Sequence, residues 1–130
     1  MATEPGGFEY LDVEDLIGLA SRLLGDPPPI RDLGLLGSAA ARPAASAFGE
    51  DAYPDILLKA AALTQSLVKD DPLIDGNKHL GWLASAVFLG LNGVDATRAS
   101  NDDVYGFVLT VAAGQLSVEE IADGLRRILG

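Results

Sequence analysis

The residues best suited to chemistry in this chain lie in one short stretch, Asp-Pro-Leu-Ile-Asp-Gly-Asn-Lys-His, at positions 71–79. The stretch leads directly into an apolar segment, Leu80 to Leu91, that has the length of a helix. The first turn of a helix carries free backbone N–H groups and the positive end of the helix dipole, so it can bind an anion. Gly76 would let a phosphate approach the backbone closely, and Lys78 would add a positive charge.

The same stretch offers a candidate metal ligand. Asp75 could hold Mg²⁺, because this ion prefers a few carboxylates together with phosphate oxygens. Asn77 stands beside Gly76 and Lys78 at the start of the helix, where it could contribute to an anion site. An Asp-Gly-Asn-Lys turn before a helix is also an ordinary turn and helix cap. Spacing alone leaves both interpretations open.

Composition limits the classes of protein to which the chain can belong. Its 130 residues suffice for one domain, residues 1–130, and 48% of them are hydrophobic, which is enough for a core. Nineteen acidic against nine basic residues give a net charge of −10, which repels phosphate backbones, so we expect no nucleic-acid partner. The longest apolar stretch is too short to span a bilayer and no secretory signal is visible, which favours a cytoplasmic protein without a membrane partner.

Apolar periodicity and helix caps predict an all-α fold of six helices around a central buried helix. This central helix is the fourth, from about Asn77 to Leu91, and its apolar residues on nearly all sides predict that it is fully buried. Three other helices are predicted before it: one from an N-cap at Asp12 to about Leu24, one from about Arg31 to Ala41, and one from Tyr53 to Lys69 with Pro54 in the first turn. Two helices are predicted after it: one from a cap at Asn101–Asp103 to about Ala113, and one from a capping box at Ser117–Glu120 to the C-terminal end.

The stretch at 71–79 resembles the signature of the Fic/Doc family, His-x-Phe-x-Asp/Glu-Gly/Ala-Asn-x-x-Arg, in the Doc variant that ends Asn-Lys-Arg. The resemblance extends over most of the chain in the same order. The further blocks are Arg-Asp-Leu-Gly-Leu-Leu at 31–36, Ala-Arg-Pro at 41–43, Phe-Leu-Gly-Leu-Asn-Gly-Val at 88–94 and Ala-Gly-Gln-Leu-Ser-Val-Glu-Glu-Ile-Ala-Asp at 113–123.

The resemblance implies a role for each residue of the stretch. The motif loop and the following helix would hold the phosphates of ATP, and Asp75 would hold Mg²⁺. The segment from Pro43 to Ala47 corresponds in position to the family's flap, which pairs with the backbone of the target protein. Trp82 in the fourth helix is predicted to pack in the core rather than against a ligand. The implied phosphate-binding residues are Gly76, Asn77, Lys78 and His79.

Two positions depart from the family signature. Asp71 stands where the family has its catalytic His, and His79 stands where it has a phosphate-binding Arg. A carboxylate can accept a hydroxyl proton, as in protein kinases, but it is shorter than imidazole and adds negative charge near the phosphates. Asp71 can also be read as an ordinary turn residue before Pro72. We therefore predict Asp71 as the catalytic position with impaired activity.

The function implied by the resemblance is that of a Doc-type toxin of a toxin–antitoxin pair. Such a toxin is an ATP-dependent phosphotransferase that modifies a hydroxyl side chain of translation elongation factor Tu. Its expected partners are this target and a cognate, Phd-like antitoxin, whose tail would fold on an apolar groove of the toxin. Two alternatives stay open: a non-catalytic Fic-fold binding module and a Fic protein that transfers AMP.

Overall fold

A computed structural model of the chain describes the backbone of residues 2–3 and all of residues 7–130. The all-α prediction is confirmed, because the regular structure of this part of the chain consists of six α-helices, two 3-10 turns and only four two-residue strands. None of these helices combines the length and the apolar character needed to cross a bilayer. The helices are α1 (Val13–Leu24), α2 (Leu33–Ala41), α3 (Ile56–Lys69), α4 (Asn77–Leu91), α5 (Asn101–Ala112) and α6 (Val118–Leu129).

The four strands form two antiparallel pairs. Strand β1 (Ala2–Thr3) pairs with β2 (Glu9–Tyr10), and β3 (Ser46–Ala47) pairs with β4 (Glu50–Asp51). The second pair is a hairpin that follows a 3-10 turn at Arg42–Ala44. It begins in the segment predicted to be a flap, and we call residues 43–51 the flap hairpin.

Side-chain caps fix the start of five of the six helices. The predicted capping box of Ser117 with Glu120 is confirmed, and the predicted N-cap Asp12 forms a second capping box with Asp15. In each of the five, a carboxylate or hydroxyl accepts from an amide of the first turn, which would otherwise lack a partner. The five caps are Asp12, Asp32, Asp55, Ser100 and Ser117.

Three helix starts differ from the prediction. Helix α2 begins at Leu33 rather than near Arg31, because Asp32 has an extended backbone and caps the amide of Leu35. Helix α3 begins at Ile56 rather than at Tyr53, because Asp55 adopts an extended backbone and caps the amide of Leu58. Pro54 therefore precedes the cap instead of lying in the first turn. Helix α5 is capped by Ser100, so Asn101 is its first residue and not its cap.

The innermost helix is α3 rather than α4. Nine residues of α3 are buried, and it packs against α2, α4, α5 and α6. The expected bounds of α4 are confirmed, but the expectation that it is fully buried was wrong: six of its residues are buried, while Trp82, Leu83, Ala86 and Val87 are half-buried. The difference arises because small residues, Ala60–Ala62, let α3 pack closely with several neighbours, whereas one side of α4 borders a groove.

Candidate anion-binding site

One cavity of about 410 Å³, which we call the anion cavity, is lined by all the site residues predicted from the sequence. It lies at the N-terminal end of α4 and is also lined by Arg31, Val68, Leu73 and Ile74. The fold therefore brings the predicted group together, although their chemical roles stay predictions. The group consists of Asp71, Asp75, Gly76, Asn77, Lys78 and His79.

The N-terminus of α4 lacks the side-chain cap that the other five helices have. Its N-cap is Gly76, with φ of 86°, and no side chain of residues 7–130 accepts from the first amides of the helix. The left-handed conformation favours glycine. Space requires it as well, because a Cβ atom on Gly76 would lie 2.7 Å from Cδ1 of Leu24. An amide end without a capping side chain, bordering a cavity, is an arrangement suited to a phosphate.

Asn77 fixes the shape of the loop before α4. Its Oδ1 accepts from the amide of Leu73 at 2.9 Å, and its Nδ2 donates to the carbonyl of Leu73 at 3.0 Å. Both polar atoms of the side chain are therefore occupied. A phosphate contact through the side chain would require one of these bonds to break, whereas a contact through the backbone amide would not.

Asp75 belongs to the same turn and is exposed. Its Oδ1 accepts from the adjacent amide of Gly76 at 2.9 Å. Across residues 7–130, no cluster of three or more His, Cys, Asp or Glu side chains could hold a metal by itself. One carboxylate beside an anion cavity fits Mg²⁺, which completes its octahedron with phosphate and water oxygens.

Lys78 and His79 are exposed and border two depressions at once. The first is the anion cavity, and the second is a mainly apolar groove of about 460 Å³ between α4 and α5. Trp82 lies in the groove wall, half-buried, with its ring edge-on to Phe107 at 6.2 Å between centroids. It thus packs on the core, as predicted, but also presents surface to the groove. The other groove residues are Leu23, Leu83, Ala86, Asn101, Val104, Tyr105, Val108 and Leu109.

The backbone at Asp71 is held by Arg31. The Nε of Arg31 donates to the carbonyl of Asp71 at 2.6 Å, and its Nη2 donates to the carbonyl of Asp70 at 2.9 Å. Asp71 itself is exposed and has φ of 51°. The backbone amides of Arg31 and Asp32 also both donate to the carbonyl of Pro72. Sequence reasoning missed this role of Arg31, although the residue lies in one of the blocks that resemble the family.

A second missed residue is Lys59, which is 0% exposed. Helical periodicity could have indicated its burial, because Lys59 lies four residues before Leu63, on the inward face of α3. Its contacts are with the flap hairpin and not with the anion cavity.

Two carboxyl groups outside the cavity have lowered pKa values. The pKa of Asp95 is lowered because its carboxylate accepts from the hydroxyl and the amide of Thr97. The pKa of Asp12 is lowered chiefly by the amide of Asp15, which donates to it. Both shifts reflect turn and cap hydrogen bonds that favour the ionised form.

The segment that forms this site lies within the part of the chain that matches known proteins. The sequence model of the Fic/DOC family matches residues 10–89, which include Arg31, the flap hairpin and the whole anion cavity. The protein named "Toxin Doc" from Mycolicibacterium smegmatis is 50% identical over 86 residues. That alignment covers 66% of this chain and 66% of the length of the relative. The chain belongs to the Fic/DOC family.

Proposed function

We propose that this protein is the toxin of a toxin–antitoxin pair and an ATP-dependent phosphotransferase that acts on a protein hydroxyl group, with impaired activity. One observation carries the proposal: the α4 amide end without a side-chain cap borders a cavity that contains Lys78 and Asp75, in a chain of the Fic/DOC family. The name of the similar protein, "Toxin Doc", supports the toxin assignment. Translation elongation factor Tu is the proposed target, on the strength of the family resemblance.

The first task of the site is to hold the phosphates of ATP. The first amides of α4 are the proposed donors, since no side chain occupies them, and Lys78 adds a full positive charge. Asp75 would hold Mg²⁺, which when bound neutralises phosphate charge. A neutral His79 offers one hydrogen-bond donor, whereas an arginine would offer a charged guanidinium with several donors. We therefore expect phosphate binding to be weak.

The second task is to remove a proton from the target hydroxyl as its oxygen forms a bond to the γ-phosphorus of ATP and ADP leaves. Asp71 is the carboxylate at the position of the family base, and it lines the same cavity. Its carboxylate oxygen reaches one bond less far from the backbone than the Nε2 of an imidazole, and proton transfer requires contact through one hydrogen bond or one water. We therefore expect slow transfer in this sequence.

Titration calorimetry with ATP and Mg²⁺ tests the binding step. Weak binding is expected, and Lys78→Met should weaken it further because a positive charge is lost from the cavity. The matched control is Lys69→Met, since Lys69 is also exposed but donates to the carbonyl of Gly114, away from the cavity. No heat of binding at high ATP, or equal affinity in both variants, would contradict the proposal.

Growth and phosphate transfer test the catalytic step. Induction of the unaltered sequence should not arrest growth, whereas Asp71→His should produce both growth arrest and transfer from γ-labelled ATP to elongation factor Tu. Adding His79→Arg should increase activity more than additively, because both residues act on one substrate. If the unaltered sequence is already toxic, Asp71 is a working base.

Other outcomes of the same experiment point to the two alternatives. An inert double variant would replace the phosphotransferase with a non-catalytic binding module. Labelling from α-labelled but not γ-labelled ATP would identify a protein that transfers AMP.

The proposed antitoxin would occupy the apolar groove with a segment that folds on binding. Tyr105 and Leu109 are 69% and 42% exposed there, so burial of their apolar surface should drive the association. Leu109→Asp should abolish co-purification with the product of the neighbouring gene. Leu33→Asp is the matched control, because Leu33 is 57% exposed but lies outside the groove. Equal loss or equal retention in both variants would argue against the groove.

A further inference from the structure

Lys59 is a buried cation with four partners outside its own helix. Its Nζ donates to the carbonyl of Pro43 at 3.1 Å and to Oδ2 of Asp51 at 3.3 Å. The rings of Phe8 and Tyr10 lie 4.8 Å and 5.3 Å from the same nitrogen, within the range of cation–π attraction. A lysine is rarely buried in this way, and the burial is tolerated only when the charge is paired and hydrogen-bonded.

The two hydrogen-bond acceptors lie at the two ends of the flap hairpin. Pro43 is its first residue and Asp51 its last, so a single ammonium group holds both ends against α3. Between them the strands have two residues each, too few to form a stable hairpin alone. One further bond, from the amide of Ala52 to the carbonyl of Ala45, closes the stem. Lys59 thus holds the hairpin against α3, together with Arg42, which directly precedes the hairpin and donates to the carbonyl of Ala62 and the hydroxyl of Ser66.

The far end of the hairpin is fully open to solvent. Phe48, at its tip, is 106% exposed, and both Phe48 and Gly49 have positive φ, as in the tight turns that fit the twist of a two-stranded hairpin. Within the part of the chain that the structure describes, neither β3 nor β4 has a second neighbouring strand. The outer edges of the hairpin can therefore pair with another protein chain.

The base of the flap hairpin lines a hollow that extends to the residue before Asp71. This open hollow of about 570 Å³ is lined by Arg42, which precedes the hairpin, by Ala45 within the hairpin, and by Asp70. Asp70 directly precedes Asp71, which lines the anion cavity. A polypeptide paired with the hairpin would thus lie beside the position at which its hydroxyl group must meet the phosphate.

We propose that Lys59 is a positioning residue for the acceptor protein: its ammonium clamps both ends of the flap hairpin and holds the strand edge and Phe48 ready for docking. The proposal rests on the phosphotransferase function given above. A hairpin fixed in advance loses little conformational entropy when the acceptor binds. The clamp acts on acceptor binding and leaves the ATP cavity unchanged.

Flap mobility tests the clamp without any catalysis. In Lys59→Met, amide hydrogen exchange at residues 45–52 and chymotryptic cleavage after Phe48 should both become at least about tenfold faster, while exchange in α4 stays unchanged. Lys69→Met, on the same helix but bonded to Gly114, should behave as the parent. A folded Lys59→Met protein with parental exchange and cleavage rates overturns the proposal.

A milder variant covers the case in which Lys59→Met does not fold. Asp51→Asn keeps the size of the acceptor but removes its charge, and the Asp51 side chain is 48% exposed, so it is not part of the core. Exchange at residues 45–52 should accelerate in this variant too, by a smaller factor. Parental exchange in Asp51→Asn would overturn the clamp on its own.

Kinetics in an Asp71→His background then separate positioning from general loss of structure. Lys59→Met should raise KM for the acceptor protein about tenfold, with kcat and KM for ATP within about twofold of the background. If kcat fell and both KM values rose by similar factors, Lys59 would support the fold as a whole and not the acceptor site. If the Asp71→His background transfers no phosphate, the proposed function fails, and flap mobility alone decides the clamp.

Discussion

The replacement of Gly76 by alanine tests the central feature of the site, the N-terminus of α4. Gly76 has φ of 86°, and a Cβ atom there would lie 2.7 Å and 2.8 Å from the two methyl carbons of Leu24. The variant therefore carries two penalties. The backbone must hold alanine in a left-handed conformation, and the Leu24 side chain must move away or the loop must open.

The size of the effect follows from these two contacts. A left-handed conformation costs a residue with a Cβ atom about 1–2 kcal/mol. The overlap with Leu24 adds about 1 kcal/mol, the lower end of the range for overpacking, because the half-buried methyl groups can rotate. The total of about 2–3 kcal/mol corresponds to a fall in Tm of about 8–12 °C for a chain of this length.

Thermal melting and ATP titration of two variants measure the effect. Gly90→Ala is the control within the same helix, because a Cβ atom there meets nothing within 4 Å and φ is not positive. This control should gain about 0.5–1 kcal/mol, since alanine is the better helix former. Gly76→Ala should lose both stability and affinity for Mg²⁺–ATP. A Tm as high as that of the parent would refute the steric reasoning, and unchanged ATP affinity would refute the amide cradle.

Two further substitutions test the loop and the acid limit of stability. Asn77→Ala removes both hydrogen bonds to Leu73, so the free energy of unfolding measured in urea should fall by about 1–3 kcal/mol; an unchanged value would mean that the loop does not depend on Asn77. Because the pKa of Asp95 is lowered by its bonds to Thr97, its ionised form stabilises the fold at neutral pH, and this contribution disappears as the pH falls through that lowered pKa. The Tm of Asp95→Ala should therefore lie below that of the parent at neutral pH, and the gap should narrow in acid as the parent's Asp95 becomes protonated; a gap that is independent of pH would contradict this reasoning.

Helix positions were predictable from sequence where one local rule acted alone. The two capping boxes, at Asp12 and Ser117, each combine an acceptor with an acidic partner three residues later, and both helices begin as predicted. At the start of α3 two rules competed. Pro54 is favourable in a first helical turn, but Asp55 is a strong N-cap, and the hydrogen bond of Asp55 to the amide of Leu58 decided the boundary.

The anion cavity was predictable because its main residues are contiguous in the chain. Positions 71–79 meet through a single turn and the first residues of α4, so their proximity needs no long-range contact. Arg31 and Lys59 act across larger separations, 40 residues to Asp71 and 16 residues to Pro43. Such pairings depend on how the helices pack, and periodicity shows only that Lys59 faces inward, not what it meets.

The backbone geometry at position 71 allows the catalytic effect of Asp71→His to be separated from an effect on folding. Arg31 holds the carbonyls of Asp70 and Asp71, so the loop is fixed by main-chain atoms, and the Asp71 side chain is exposed. Asp and His are both among the residues that tolerate a positive φ. Asp71→His should therefore fold with a free energy of unfolding within about 0.5 kcal/mol of the parent, as expected for an exposed position.

This expected stability decides how an inactive variant is interpreted. If Asp71→His with His79→Arg melts like the parent, binds Mg²⁺–ATP and still transfers no phosphate, the loss cannot be attributed to misfolding or to an empty phosphate site. The failure would then lie in the chemistry itself, and the phosphotransferase assignment would give way to a binding module. If instead Asp71→His is strongly destabilised, the carboxylate has a structural role in the loop, and the claim that the loop is fixed independently of the Asp71 side chain is refuted.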